Sequence, residues 1–128
     1  MANYLLDTTA LVDYLRGCQG VLEMLNTLAG QGNRLGVCCV SVAELYAGVS
    51  RESRAAADRL TGSLDYYDVS REVAKEAGRY RFEFALRGTA LSTADTLIAA
   101  TAIDQGAILV TANTKDFPME EIQLLEHP

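Results

Sequence analysis

Four stretches of this 128-residue sequence carry side chains from which a site for a hard cation is built. Asp7 follows the apolar run Tyr4-Leu5-Leu6. Glu44 stands three residues after Ser41, and Asp95 stands three residues after Ser92. Asn113 and Asp116 lie in the polar segment just past Ala107-Ile108-Leu109-Val110-Thr111. Carboxylates gathered in one place repel one another unless a cation neutralises them. The sequence has one histidine, His127, and three cysteines (Cys18, Cys38, Cys39) with no C-x-x-C spacing. Histidine acid–base catalysis and histidine-ligated zinc within one chain are therefore nearly excluded. Any metal here takes oxygen ligands, which means Mg²⁺ or Mn²⁺. The natural partner of such an ion is a phosphate. A bound ion lowers the pKa of its water, holds that water in line with a phosphodiester and steadies the departing oxygen.

Each acid also has a plain structural use. Asp7 suits the N-cap of a helix starting at Thr8. Ser41 with Glu44, and Ser92 with Asp95, match the capping box, in which a hydroxyl and an acid three residues on satisfy one another's backbone. The two uses are compatible, because the positive end of a helix dipole keeps a carboxylate ionised. Beside Glu44, Ala47 and Gly48 at i+3 and i+4 leave space for a ligand or a close backbone.

The elements that must position these residues follow from the apolar spacing. Residues 4–6, 35–40 and 107–111 read as short buried strands, 64–69 as a weaker one, and 122–125 as an edge strand. Helical spacing covers 10–15, 21–29, 42–49, 51–60, 72–86 and the run from Asp95 to Ile103, which ends at Asp104-Gln105-Gly106 with a glycine suited to a left-handed cap. On the 72–86 helix, Val73, Ala77, Tyr80 and Phe84 form the inward face. Strands alternating with helices predict one α/β domain over 1–128, with a mainly parallel sheet of four to five strands and helices on both faces. With right-handed connections, the acids and the 113–116 segment meet over one edge of that sheet.

Composition adds bounds. Hydrophobic residues make up 49% and charged residues 22%, ordinary for a globular protein. No apolar run is long enough to span a membrane and the N-terminus lacks a signal-peptide pattern, so a cytoplasmic location with reduced thiols is expected. The net charge of −6 argues against a protein that coats nucleic acid. Yet eight of the eleven basic residues fall between Arg51 and Arg87. Solvated helix faces are the ordinary reading of that bias, and a phosphate-contacting stripe is the other.

In four pieces the sequence resembles the PIN-domain family, specifically the VapC-type toxins of type II toxin–antitoxin pairs. The pieces are Tyr4-Leu5-Leu6-Asp7-Thr8-Thr9 with Leu11 to Gly17, Ser41-Val42-Ala43-Glu44-Leu45 with Ala47-Gly48-Val49, Asp95 to Ala102, and Val110-Thr111-Ala112-Asn113-Thr114-Lys115-Asp116-Phe117, in family order. Residues 51–87 carry no motif. The resemblance implies a three-layer PIN-like fold and a Mg²⁺- or Mn²⁺-dependent endoribonuclease. Asp7, Glu44 and Asp95 match the family acids. The fourth position departs: Asn113 stands where many PIN domains have an acid, and Asp116 is the acid of the VapC-like variant. Asp7 and Asp95 are expected to ligate the main ion directly. Glu44 is expected to act through water or on a second ion, and Asp116 to complete the set. Thr8 and Thr111 are expected to hold the acids in place. RNA would be gripped by Arg16, Arg51, Arg54 and Arg87. A homodimer is expected, and a VapB-type antitoxin that docks near 21–29 and 42–60 and blocks the site.

Two alternatives stand beside this reading. A phosphatase of the haloacid-dehalogenase kind also uses an aspartate after the first strand, a later Thr and Lys, and Mg²⁺. It needs a second aspartate two residues on, where this sequence has Thr9. The other alternative is a PIN-fold interaction module without turnover, against which the intact acids speak.

Overall fold

Every strand of the sheet runs parallel to its neighbours. Helices carry the chain back across a face after each of the first three strands, and a loop with one 3₁₀ turn does so between the last two. The computed structural model describes residues 1–128. Strand β1 (Asn3–Leu6) leads into α1 (Thr8–Leu15) and α2 (Gln19–Gly30), then β2 (Arg34–Cys38), α3 (Cys39–Gly48) and α4 (Arg54–Gly62). Strand β3 (Asp65–Tyr67), α5 (Arg71–Leu86), α6 (Thr93–Asp104), β4 (Ile108–Thr111) and β5 (Gln123–Glu126) complete the order. The sheet order is β3-β2-β1-β4-β5. The chain thus builds outward from β1 on one side, then returns to β1's other edge with β4. The strand order reverses there, so a crevice opens at the carboxyl ends of β1 and β4.

Both faces of the sheet are covered, which is why the strands read as unbroken apolar runs. Leu5, Cys38 and Leu109 point to one face and pack with Val73, Ala77 and Tyr80 of α5 and Ile98, Ala99 and Ala102 of α6. Their strand neighbours Leu6, Val37 and Val110 point to the other, onto Leu11 of α1, Val21 and Leu25 of α2, Leu45 of α3 and Leu60 of α4. The result is the helix–sheet–helix layering expected from the alternation of elements. No helix is long and apolar enough to cross a membrane.

Several boundaries differ from the sequence reading. Strand β2 stops at Cys38, and Cys39, Val40 and Ser41 form the first turn of α3. Ser41 is therefore not a cap. It lies inside the helix, fully buried, and its hydroxyl has no hydrogen-bond partner. An apolar run such as Val37 to Val42 buries equally well as strand or helix, so periodicity alone does not fix where one ends. The 51–60 helix is broken into a 3₁₀ turn at Arg51–Ser53 followed by α4, and β3 is only three residues long. Phe84 is half-buried rather than central, whereas Val73, Ala77 and Tyr80 are buried.

The join between α6 and β4 matters most for the site. Gly106 takes a φ of +61°. Its N–H donates to Ile103 O at 3.1 Å, and the Ala107 N–H donates to Ala102 O at 2.8 Å. This paired Schellman arrangement stops α6 and turns the chain straight into β4.

Candidate active site

Asp7 is the N-cap of α1, with extended backbone (φ −80°, ψ 178°), and is almost fully buried. Its Oδ1 accepts from Ala10 N at 3.1 Å and from Thr9 Oγ1 at 2.6 Å. Its own N–H donates to Val110 O at 3.1 Å, which ties the acid to the end of β4. Capping thus orients the carboxylate without removing it from the crevice.

Glu44 lies in the second turn of α3, not the first, because α3 starts at Cys39. Its Oε1 accepts from Thr8 Oγ1 at 2.6 Å. Asp95 sits in the first turn of α6, where Ser92 Oγ accepts from the Asp95 N–H at 3.0 Å. Asp116 ends a 3₁₀ turn, Thr114–Asp116, just past β4.

The electrostatics tie these residues together. The Asp95 carboxyl is raised above its usual pKa, chiefly by burial. The negative charges of Asp116, Glu44 and Asp7 push the same way, and a hydrogen bond with Ser92 opposes them. Four acids from four separate segments therefore share one region. No three histidine, cysteine or acidic side chains stand close enough to enclose a bare ion. An all-oxygen set of this kind fits Mg²⁺, which keeps several waters and takes only one or two carboxylates from its protein.

Thr111 does not hold an acid, contrary to expectation. Its buried hydroxyl accepts from Asn113 N at 3.0 Å and so shapes the loop. The Asn113 side chain is exposed. Two surface hollows flank the Thr8–Glu44 pair. One of about 380 Å³ lies beside Glu44, Leu45, Gly48 and Val49, and one of about 270 Å³ beside Thr8, Thr9, Asp13 and Asn113. Arg16 lines both. Arg51 and Arg54 are exposed on the segment after α3 and line neither hollow. Arg87 lies over the Phe84 ring, 4.8 Å from its centroid. A larger hollow of about 420 Å³, lined by Leu25, Leu35, Leu60 and Leu64 among others, opens at the amino ends of β2 and β3 and contains none of the four acids.

Sequence reasoning missed three contributors. Thr9 donates to Asp7, His127 Nε2 lies 3.0 Å from Thr9 Oγ1, and Arg81 Nη1 donates to Thr93 Oγ1 at 2.7 Å, two residues from Asp95. No local spacing signalled His127: its place depends on β5 pairing with β4 in the register that sets Glu126 opposite Thr111, where the His127 N–H donates to Thr111 O at 3.1 Å.

The PIN domain matches residues 4–119. The chain belongs to the PIN-domain family. Among the similar PIN proteins, ribonuclease VapC19 of Mycobacterium tuberculosis is 33% identical over 115 residues, covering 90% of this chain and 92% of that protein. Ribonuclease VapC10 of the same species is 32% identical over 117 residues, covering 91% and 87%. In three dimensions the chain resembles VapBC2 of Rickettsia felis, solved with a DNA fragment from its promoter, at a TM-score of 0.87 and 27% identity over 97% of this chain and 98% of that one. A fold likeness extends to DNA-bound VapBC of Salmonella typhimurium, at a TM-score of 0.85, 23% identity and 98% coverage of both chains. The four acids therefore lie on a PIN fold, at its strand-order switch.

Proposed function

We propose that the chain is a VapC-type toxin: a divalent-metal-dependent endoribonuclease restrained by a VapB-type antitoxin. The observation that carries this reading is the set Asp7, Glu44, Asp95 and Asp116, drawn from four segments and close enough that three of them raise the fourth. The names of the VapC ribonucleases that resemble the chain along nearly its whole length support the substrate class.

Asp7 and Asp95 would hold Mg²⁺ or Mn²⁺ directly, with Glu44 and Asp116 reaching it through water. The bound ion would supply an acidified water and neutralise charge on the phosphate. The protein does the rest by position. Glu44, steadied by Thr8, would orient the water toward phosphorus. The attacking water's oxygen would bond to phosphorus as the P–O ester bond breaks, and the proton that water gives up would pass to the departing oxygen. Arg16, on the rim beside Glu44, takes a neighbouring phosphate of the strand, and Arg81, held by Thr93, serves the Asp95 side.

For the antitoxin, the hollow beside Leu45, Gly48 and Val49 offers a partly apolar seat next to Glu44. For a homodimer, Phe82 (68% exposed) and Leu86 (74% exposed) on α5 offer an apolar surface. The phosphatase reading gains nothing, since Thr9 occupies the place of its second aspartate and turns its hydroxyl onto Asp7.

The test is induced expression in a bacterial host without the antitoxin. Growth should stop and extracted RNA should contain discrete new fragments. The Asp95→Asn protein, at equal soluble level, should do neither. Growth arrest by Asp95→Asn equal to that of the native chain would count against the assignment.

A further inference from the structure

Thr9 serves three neighbours with one hydroxyl. Its Oγ1 lies 2.6 Å from Asp7 Oδ1, 3.1 Å from Ala112 N and 3.0 Å from His127 Nε2. A hydroxyl has one proton and two lone pairs. The Ala112 N–H can only donate, so it takes one lone pair. The ionised Asp7 carboxylate can only accept, so it takes the proton. The remaining lone pair faces His127, which must donate from Nε2. The donors then run in one direction, from His127 through Thr9 to Asp7, and each bond in such a chain polarises the next.

The chain ends on one oxygen only. Asp7 Oδ1 accepts from Thr9 and also from Ala10 N at 3.1 Å, while no donor of the protein reaches Oδ2. At the other end, the His127 side chain is wholly enclosed. Its Nδ1 lies 3.1 Å from Pro128 O and 4.0 Å from Asp13 Oδ2, and its backbone is fastened to Thr111. The enclosed ring cannot turn away without breaking the bond between Nε2 and Thr9 Oγ1.

We propose that His127 is a positioning residue for the acid site: through Thr9 it fixes the Asp7 carboxylate and reserves Oδ2 for the cation. The inference rests on the reading of Asp7 as a metal ligand. Partners that orient a metal-binding side chain in this way typically change affinity about 10–100-fold when removed.

The experiment measures Mn²⁺ binding to the purified full chain from the loss of the free-ion electron paramagnetic resonance signal. The native chain should bind, and Asp7→Asn should not. If Asp7→Asn binds as well as the native chain, the ligand reading falls and this inference falls with it. Given that baseline, His127→Leu and Thr9→Val should each weaken binding about tenfold. The double variant should be no weaker than Thr9→Val alone, because both act on one path. His127→Gln, which keeps an N–H donor at similar reach, should recover most of the loss. A purely structural histidine would lower the thermal midpoint and leave the affinity of the folded protein unchanged. Native affinity in His127→Leu, or effects that multiply in the double variant, would overturn the proposal.

A second readout needs no substitution at His127. It is the sole histidine, so a long-range ¹H–¹⁵N spectrum contains one imidazole. Nε2 should carry a proton, and the ring signals should move as Mg²⁺ is added to the native chain but not to Asp7→Asn. A bare Nε2, or ring signals indifferent to Mg²⁺ in the native chain, would overturn the proposal even if His127→Leu failed to fold.

Discussion

At Asp95, burial and the charges of Asp116, Glu44 and Asp7 act in the same direction, against the ionised form. The folded pKa lies above the unfolded one, so ionisation of this carboxyl opposes folding in the metal-free protein. The penalty is absent below the ordinary carboxylate range, grows as pH rises through it, and is full at neutral pH. Asp95 is half-exposed, so solvent keeps the effect small. Metal-free Asp95→Asn should therefore unfold at a temperature about 1–3 °C above the native chain at neutral pH. The gap should close on acidification, as followed by circular dichroism, and should reverse when Mg²⁺ is added to both. An Asp95→Asn midpoint below the native one throughout would show that the acids do not repel. Asp7 was legible in the sequence as the cap of α1, and Asp95 as the acid of the turn capped by Ser92, because both placements depend on neighbours a few residues away. Thr9 with His127 was not. Their partnership spans 118 residues and exists only once β5 lies beside β4.

Among the elements, α6 and β4 form the unit that carries Asp95 on one side and the Asn113–Asp116 segment on the other. Their connection depends on a left-handed Gly106, and a Cβ there would meet nothing within 4 Å. Gly106→Ala should therefore cost backbone strain alone, about 1 kcal/mol. The thermal midpoint should drop by roughly 3–6 °C, with RNA cleavage per folded molecule unchanged. An unchanged midpoint would mean that the turn relaxes freely. The glycine cap was legible because few residues accept that conformation. The start of α3 was not, since Val37 to Val42 is apolar in either geometry, and the change moves Glu44 from the first turn to the second. What fixes Glu44 is then not its own helix terminus but Thr8 of α1.

For the whole molecule, the decisive feature is the reversal of strand order about β1. It brings the end of β1, the start of α6 and the loop after β4 to one crevice, and it lets acids 88 residues apart (Asp7 and Asp95) affect one another. Alternation of strands and helices made the parallel sheet and its two covered faces readable. The assignment of rim arginines was less readable, because a guanidinium's target depends on which helix faces the crevice: Arg16 lines it, whereas Arg87 rests on Phe84. We propose that these acids make a metal-dependent ribonuclease. The direct measurement is incubation of the purified chain, freed of any antitoxin, with total RNA in Mg²⁺ or Mn²⁺, beside an EDTA control and Asp95→Asn. Discrete fragments are expected from the native chain, and intact RNA in both controls. Cleavage that persists in EDTA or in Asp95→Asn, or no cleavage by folded, metal-replete native protein, would contradict the proposal.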